Sequence, residues 1–366
     1  MKIALVHDYL NQFGGAERVV MALHEIYPDA PIYTSIYDSK RLPKNFEDYD
    51  IRFSFMQYLP WVSAAYRYYF LIYPWAFQSF DLAEYEVILS SSSAYAKGIR
   101  KKPEQLHICY CHTPARFLWR FEDYLKQEAI PSWVKALLPY FLGPLKKWDL
   151  QNTQGVDFFI ANSLVVAGRI KKIYGRESVI INPPVDGDFF RPSAIDRDYF
   201  LVVSRLNAYK RIDLVVEVFN RLELPLKIIG VGPAFNNLKK KARENIEFLG
   251  KVSDLELLRY LAECRALIFP GEEDFGIVPL EAMACGRPVI AYRAGGAKET
   301  VIEEETGVFF YPQTPEALAD AVKRFQFMVF DKNKIREHAL KYDKRVFKKK
   351  IEEFVNEKYK EKFCKL

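Results

Sequence analysis

Two glutamates, Glu273 and Glu281, stand eight positions apart in the segment from Phe269 to Gly286. A short apolar run, Ala266 to Phe269, leads into an acidic, glycine-containing loop and then into a helical pattern near Pro279, a favourable first-turn residue. That order puts Glu273 in a loop beyond a strand's carboxyl end and Glu281 on the first turn of a helix. Carboxylates so placed can accept hydrogen bonds from several sugar hydroxyls, while the N–H groups of Phe275, Gly276, Ile277 and Val278 remain for an anion. A capping carboxylate and a solvated glutamate account for the spacing equally well. Upstream, Val203-Ser204-Arg205-Leu206-Asn207-Ala208-Tyr209-Lys210-Arg211 again joins a strand pattern to a helix pattern. Arg205 can fork two phosphate oxygens and Lys210 adds a mobile point charge; the plain alternative is a basic loop with no ligand. Near the N-terminus His7-Asp8 precedes Gly14-Gly15, where backbone N–H groups can approach an anion at a helix start. This is not G-x-G-x-x-G, and a tight turn explains it as well.

These residues need strand ends and helix starts to hold them, and the chain supplies both. Apolar runs recur at Ile3 to Val6, Val87 to Leu89, Ile108 to Tyr110, Phe158 to Ile160, Phe200 to Val203, Leu226 to Ile229, Ala266 to Phe269 and Val289 to Ala291. Helical patterns lie between them, among them Ala16 to Ile26, Ile212 to Leu222, Leu255 to Cys264 and Pro315 to Phe325. Continuous apolar strands alternating with helices predict parallel, doubly wound α/β layers. Pro183, Pro184, Gly187 and Pro192 punctuate residues 181–200, the expected linker. The expected domains are 1–185 and 186–345. Beyond them Phe347, Ile351, Val355 and Tyr359 repeat every four residues on a lysine-rich helix that needs a partner surface.

Composition narrows the function classes. The chain has 366 residues and a net charge of +6, and residues 331–366 carry that whole excess. Nucleic-acid recognition spread over a folded face is therefore disfavoured. No apolar run reaches the length of a spanning helix or of an export signal. Cys109, Cys111, Cys264, Cys285 and Cys364 form no C-x-x-C pair, so reduced thiols and a cytoplasmic setting are expected. Residues 53–80 are the exception to ordinary core composition, with 12 aromatic residues among 28. They suit either a helical subdomain packed on the first sheet or a contact with a lipid-linked acceptor or membrane. Residues 117–148, which mix Trp119, Trp133, Tyr140 and Phe141 with Arg116, Arg120, Lys146 and Lys147, suit an amphipathic flank near anionic lipid or a solvated insertion.

The spacing E-x7-E at Glu273 and Glu281, inside EDFGIVPLEAMACGRPVIA, resembles the signature of the family 4 retaining glycosyltransferases. SRLNAYKRIDL, GGAE at Gly14 to Glu17, CHTP at Cys111 to Pro114 and GGAKETV at Gly295 to Val301 resemble the same family in the same order. The likeness spans nearly the whole chain. It is most specific over residues 199–310 and looser over 50–150. It implies a GT-B fold: α/β, two Rossmann-like doubly wound domains facing a cleft. Residues 1–185 would take the acceptor, residues 186–345 the donor, and the helix 346–366 would return to the N-terminal domain.

By the same resemblance Arg205 and Lys210 would hold the donor diphosphate, with backbone donors from Phe275, Gly276, Ile277 and Val278. Glu281 would bind the ribose and Glu273 the hydroxyls of the transferred sugar. The nucleobase would rest on Gly250, Lys251 and Val252, and Gly14 and Gly15 would close over the donor. His112 matches the family's N-domain histidine near the reacting sugar; a hydrogen-bonded structural histidine is its bland alternative. Overall similarity to O-antigen-type mannosyltransferases implies GDP-mannose as donor and a lipid-linked glycan as acceptor, with peripheral contact to an anionic membrane at its inner face and no nucleic-acid partner. No cofactor and no metal are expected, since cations on the leaving phosphate could replace one. Asp186-Gly187-Asp188 and Asp196-Arg197-Asp198 look like a metal motif of another glycosyltransferase fold but fall in the linker, and count as linker charge. A hydrolysing nucleotide-sugar epimerase and a non-catalytic glycan-binding protein are the rival readings.

Overall fold

The computed structural model describes residues 1–121 and 132–364. The described chain divides into two compact units, one of residues up to Pro184 together with Arg345 onward, the other of Val185–Lys344.

The first unit is built on seven parallel strands: β1 (Ile3–His7), β2 (Ile32–Thr34), β3 (Ile51–Phe53), β4 (Val87–Ser92), β5 (Leu106–Cys111), β6 (Phe158–Ala161) and β7 (Ser178–Ile180). Their order is β3-β2-β1-β4-β5-β6-β7, so the winding reverses between β1 and β4. Period-two alternation splits β1 between the layers above and below it. Ile3 and Leu5 join a core with Val19, Val20 and Leu23 of α1 (Gly15–Ile26), whereas Ala4 and Val6 join Tyr73, Phe77, Tyr85 and Tyr95 on the other face. The aromatic stretch 53–80 thus divides. Met56, Val62, Tyr73 and Phe77 are core, while Tyr58, Trp61 and Trp75 stay 81%, 85% and 65% exposed.

On the same face, where Trp148 packs against Tyr95, α2 (Ser132–Thr153) is pinned by Asp149. That fully buried carboxylate pairs with Lys97 at 2.6 Å and accepts from Trp119 Nε1 and Tyr174 Oη at 2.7 and 2.9 Å; Tyr174 ends α3 (Leu164–Tyr174). Of the stretch 117–148, residues 122–131 lie outside the described residues, as does the side chain of Trp133.

The second unit repeats the winding with β8 (Phe200–Val203), β9 (Leu226–Ile229), β10 (Ile246–Gly250), β11 (Ala266–Phe269), β12 (Val289–Tyr292) and β13 (Gly307–Phe310), ordered β10-β9-β8-β11-β12-β13. Phe200 and Val202 face α4 (Ile212–Leu222), while Leu201 faces the layer holding α5 (Asp254–Glu263) and α6 (Ile277–Ala284). The helices α7 (Pro315–Phe325) and α8 (Lys332–Leu340) finish the unit. The chain then returns as α9 (Lys344–Phe363), whose Phe347, Ile351, Phe354 and Val355 are buried with Ile3, Leu5 and Ile108 in the first unit. Tyr359 Oη donates to Glu86 Oε1 at 2.6 Å.

Candidate active site

In open α/β sheets ligands gather beyond the carboxyl ends of the strands, where the winding reverses. In the second unit that point lies between β8 and β11, and the loops that follow these strands carry Lys210 and Glu273. Their side chains form an ion pair, with Lys210 largely buried and Glu273 part-exposed. Arg205, on the same loop as Lys210, is exposed and reaches Tyr209 Oη at 3.4 Å. Gln313 ties the two loops together: its Oε1 accepts from Arg211 Nη1 at 3.0 Å, and its Nε2 donates to the Pro270 carbonyl at 2.7 Å.

The Glu273 loop is held from the other side by Gly295 and Gly296. The Gly296 N–H donates to the Glu273 carbonyl at 2.9 Å. A Cβ on Gly295 would stand 2.2 Å from that carbonyl oxygen, and Gly295 has φ +58°. A Cβ on Gly296 would meet the Phe275 backbone at 2.2 Å. Only glycine allows both approaches, which gives GGAKETV a physical task. α6 starts at Ile277, two residues before Pro279, because Gly276 turns the chain with φ +85°. Glu281 therefore lies in the second turn rather than the first, and is 3% exposed. Gly250 (φ +68°) ends β10, two strands from β8, and Lys251 and Val252 follow it; the Gly250 carbonyl accepts from Gly230 N–H at 2.8 Å. Structure thus brings Lys210 and Glu273 into contact and sets the other donor-side residues around the same sheet edge.

In the first unit the reversal point lies between β1 and β4. The N–H of Gly14 donates to Glu17 Oε2 at 2.8 Å, so α1 begins with its own carboxylate as cap, and Gly15 is its first residue. Glu17 is 1% exposed; burial raises its pKa, but the hydrogen bond and charge of His7 outweigh that and hold it below the usual carboxylate range. Asp8 caps the loop after β4, accepting from the N–H groups of Ser93, Ala94, Tyr95 and Ala96 and from Ser93 Oγ at 2.5 to 3.0 Å. His112, one residue past β5, has Nε2 at 2.8 Å from Ser91 Oγ. Its N–H donates to the Ser92 carbonyl at 2.8 Å and its carbonyl accepts from Asn162 Nδ2 at 3.0 Å. Ser91, His7 and Glu17 connect His112 to Gly14: His7 Nδ1 lies 3.2 Å from Ser91 Oγ, and Glu17 Oε1 lies 3.7 Å from His7 Nε2. In the sequence His7-Asp8 reads as a pair at a strand end and Glu17 as the last residue of GGAE, whereas Ser91 and Gln313 carry no signal.

Both D-x-D triplets are held in ion pairs within the second unit. Asp186 is 3.3 Å from Lys344 Nζ and accepts from the Phe189 N–H at 2.9 Å; Asp196 pairs with Arg287 at 2.6 Å and Lys332 at 2.7 Å; Asp198 pairs with Arg265 at 3.0 Å. Among the described residues no helix is long and apolar enough to cross a membrane. The cysteines are unpaired thiols, and burial pushes those of Cys109, Cys264 and Cys285 up to about 12.

Residues 188–358 match the family model described as "Glycosyl transferases group 1". This stretch is a group 1 glycosyl transferase domain. It contains Arg205, Lys210, Glu273, Glu281 and both glycines of the 295–296 pair. The chain is 23% identical over 288 residues to alpha-1,3/1,6-mannosyltransferase ALG2 of Rhizomucor pusillus, a match covering 63% of this chain and 60% of that protein. It is 31% identical over 170 residues to a GDP-mannose-dependent alpha-(1-6)-phosphatidylinositol monomannoside mannosyltransferase of Mycolicibacterium smegmatis, covering 38% of this chain and 44% of the relative. The chain therefore spans about half the length of these curated relatives. Among solved structures, HepE of Anabaena in complex with UDP aligns over 98% of this chain and 100% of its own at a TM-score of 0.74 and 16% identity. The glycosyl transferase domain and the unit before it together have the GT-B fold of two Rossmann-like domains.

Proposed function

We propose that the chain is a retaining hexosyltransferase, moving mannose from GDP-mannose to a hydroxyl of a lipid-linked glycan in surface-polysaccharide biosynthesis. The observation that carries this reading is the Lys210–Glu273 pair at the reversal point of the second sheet, inside a group 1 glycosyl transferase domain. As the sugar leaves a nucleoside diphosphate, negative charge grows on the departing phosphate. Lys210 and Arg205 act on that charge more strongly in the transition state than in the ground state. Glu273, released from Lys210 as the diphosphate arrives, accepts hydrogen bonds from sugar hydroxyls. Glu281 takes the ribose, Gly250 to Val252 the nucleobase, and the N–H groups at the start of α6 the phosphate. With cations on the leaving group, the reaction needs no metal. Mannose and GDP are favoured by the names of the two mannosyltransferase relatives. Tyr58, Trp61 and Trp75 on the first unit, with Arg67 beside Tyr66, give the chain a face for the membrane that carries the acceptor, at the cytoplasmic side.

A metal-free thermal-shift and hydrolysis screen against GDP-mannose, GDP-fucose, UDP-glucose, UDP-galactose and UDP-GlcNAc tests this. GDP-mannose should stabilise the protein most, and turnover should require an acceptor. Preference for a UDP-sugar would overturn the donor assignment. Consumption of donor without acceptor, yielding an epimerised sugar, would favour the epimerase reading.

A further inference from the structure

We infer that Gln313 is a positioning residue that clamps the loops carrying Lys210 and Glu273, so that they keep their spacing when the donor diphosphate parts that ion pair. What the donor does there rests on the function proposed above; the clamp rests on the second unit alone. The two loops need holding because their strands separate. β8 and β11 pair at Phe200 with Ala266 and at Leu201 with Leu267; further along, Val203 pairs with Ile229 of β9 and Phe269 with Ala291 of β12. Beyond the sheet the loops come back together. A Cβ on Gly271 would stand 3.2 Å from the Cα and from the carbonyl oxygen of Lys210, so the two main chains pass in close contact there.

The clamp grips on either side of that contact, at Arg211 just after Lys210 and at Pro270 just before Gly271. Gln313 Oε1 accepts from Arg211 Nη1 at 3.0 Å, and Gln313 Nε2 donates to the Pro270 carbonyl at 2.7 Å. A guanidinium can only donate and a carbonyl can only accept, so the amide has one possible orientation. Gln313 itself follows β13, two strands from β11, and reaches both loops from outside them. Arg211 is fixed in turn. Its Nε lies 3.4 Å from Asp213 Oδ1 in the first turn of α4, and its backbone has φ +54°, a left-handed conformation that a residue other than glycine keeps only where its surroundings hold it. The ion pair of Lys210 and Glu273 answers to the charge of a ligand, whereas the clamp uses no group assigned to the donor. A diphosphate that draws Lys210 away from Glu273 therefore leaves the clamp closed.

The test is amide hydrogen exchange in the full chain, read at the Lys210 N–H, bonded to the Asn207 carbonyl at 3.0 Å, and at the Gly296 N–H, bonded to the Glu273 carbonyl at 2.9 Å. Gln313→Met keeps the length of the side chain and removes both hydrogen bonds. In a Glu273→Gln background, where the ion pair is gone, it should speed exchange at both amides about tenfold, and by less when Glu273 is present; amides in the middle of α4 should not change. Arg211→Gly suits φ +54° and removes only the guanidinium, so it should have the same effect, and combined with Gln313→Met little more. With GDP-mannose as donor, Gln313→Met should lower kcat about tenfold or more, with the donor KM changing less and the melting temperature held within about 2 °C. Unchanged exchange at either amide, or equally faster exchange throughout the unit, would overturn the clamp, and a normal kcat beside faster exchange would overturn the positioning role. Should Gln313→Met fail to fold, Gln313→Glu, which can accept from Arg211 but cannot donate to Pro270, is read in its place. No turnover of GDP-mannose by the wild type beside the expected exchange pattern would count against the proposed reaction and leave the clamp standing.

Discussion

Glu273 is where charge and function meet most directly, because its carboxylate already holds the cation assigned to the leaving phosphate. Glu273→Gln keeps the shape and removes the charge. It should leave fold and nucleotide binding largely intact while lowering turnover about 100-fold or more, read by steady-state kinetics; near-normal turnover would remove Glu273 from the reacting sugar. Arg205 is exposed and makes only the contact with Tyr209 among those described for its side chain, so Arg205→Ala should not unfold the protein. It should weaken donor binding and turnover together, seen as a smaller donor-induced thermal shift. Lys210 and Glu273 were marked in the sequence by side-chain type and position, and the fold brings them into contact. Ser91 was not: a serine at the end of an apolar run carries no chemical signature until strand pairing sets it opposite His7.

At the scale of elements, eight apolar runs marked strands that exist, and the five others were hidden for physical reasons. β2, β3 and β7 have three residues each, too few for a period, while β10 ends in glycine and β13 begins with one. β4 continues through Ser90, Ser91 and Ser92, all buried, because their backbone groups are paired within the sheet and hydroxyls such as those of Ser90 and Ser91 have ring-nitrogen partners. His107 on β5 is one such partner, with Nε2 at 2.8 Å from Ser90 Oγ. Burial lowers its pKa from 6.5 to about 4. Below about pH 6.5 the unfolded ring takes a proton that the folded ring refuses, so stability present above that pH is lost as pH falls toward about 4, on the order of 3 kcal/mol. His107→Gln should show a shallower fall in melting temperature across that window; a curve parallel to the wild type would refute a neutral buried ring. A second element-scale prediction concerns the glycine pair: Gly295→Ala must move the Glu273 carbonyl away from its Cβ, and should reduce donor binding in a calorimetric titration.

Over the whole molecule, the strongest organisational feature is that α9 follows the second unit in sequence but completes the core of the first. The four-residue repeat announced a partner surface for this helix, and Tyr359 found Glu86 there. The repeat gave no hint of which strands would receive Phe347, because a helix face specifies apolarity and not address. Phe347 is 2% exposed against Tyr110, with ring centroids 5.9 Å apart. Phe347→Ala should cost about 3–5 kcal/mol and lower the melting temperature of the transition that includes the first unit by on the order of 10 °C. An unchanged melting curve would show that α9 is dispensable. The placement of α9 also sets an order of events during synthesis. The first sheet is translated before α9 and keeps part of one apolar face, beside α1, uncovered until the intervening 160 residues of Val185–Lys344 have been translated. The second unit, unbroken in sequence, can close its core before then, so the earlier-translated of these two units is completed after the later one.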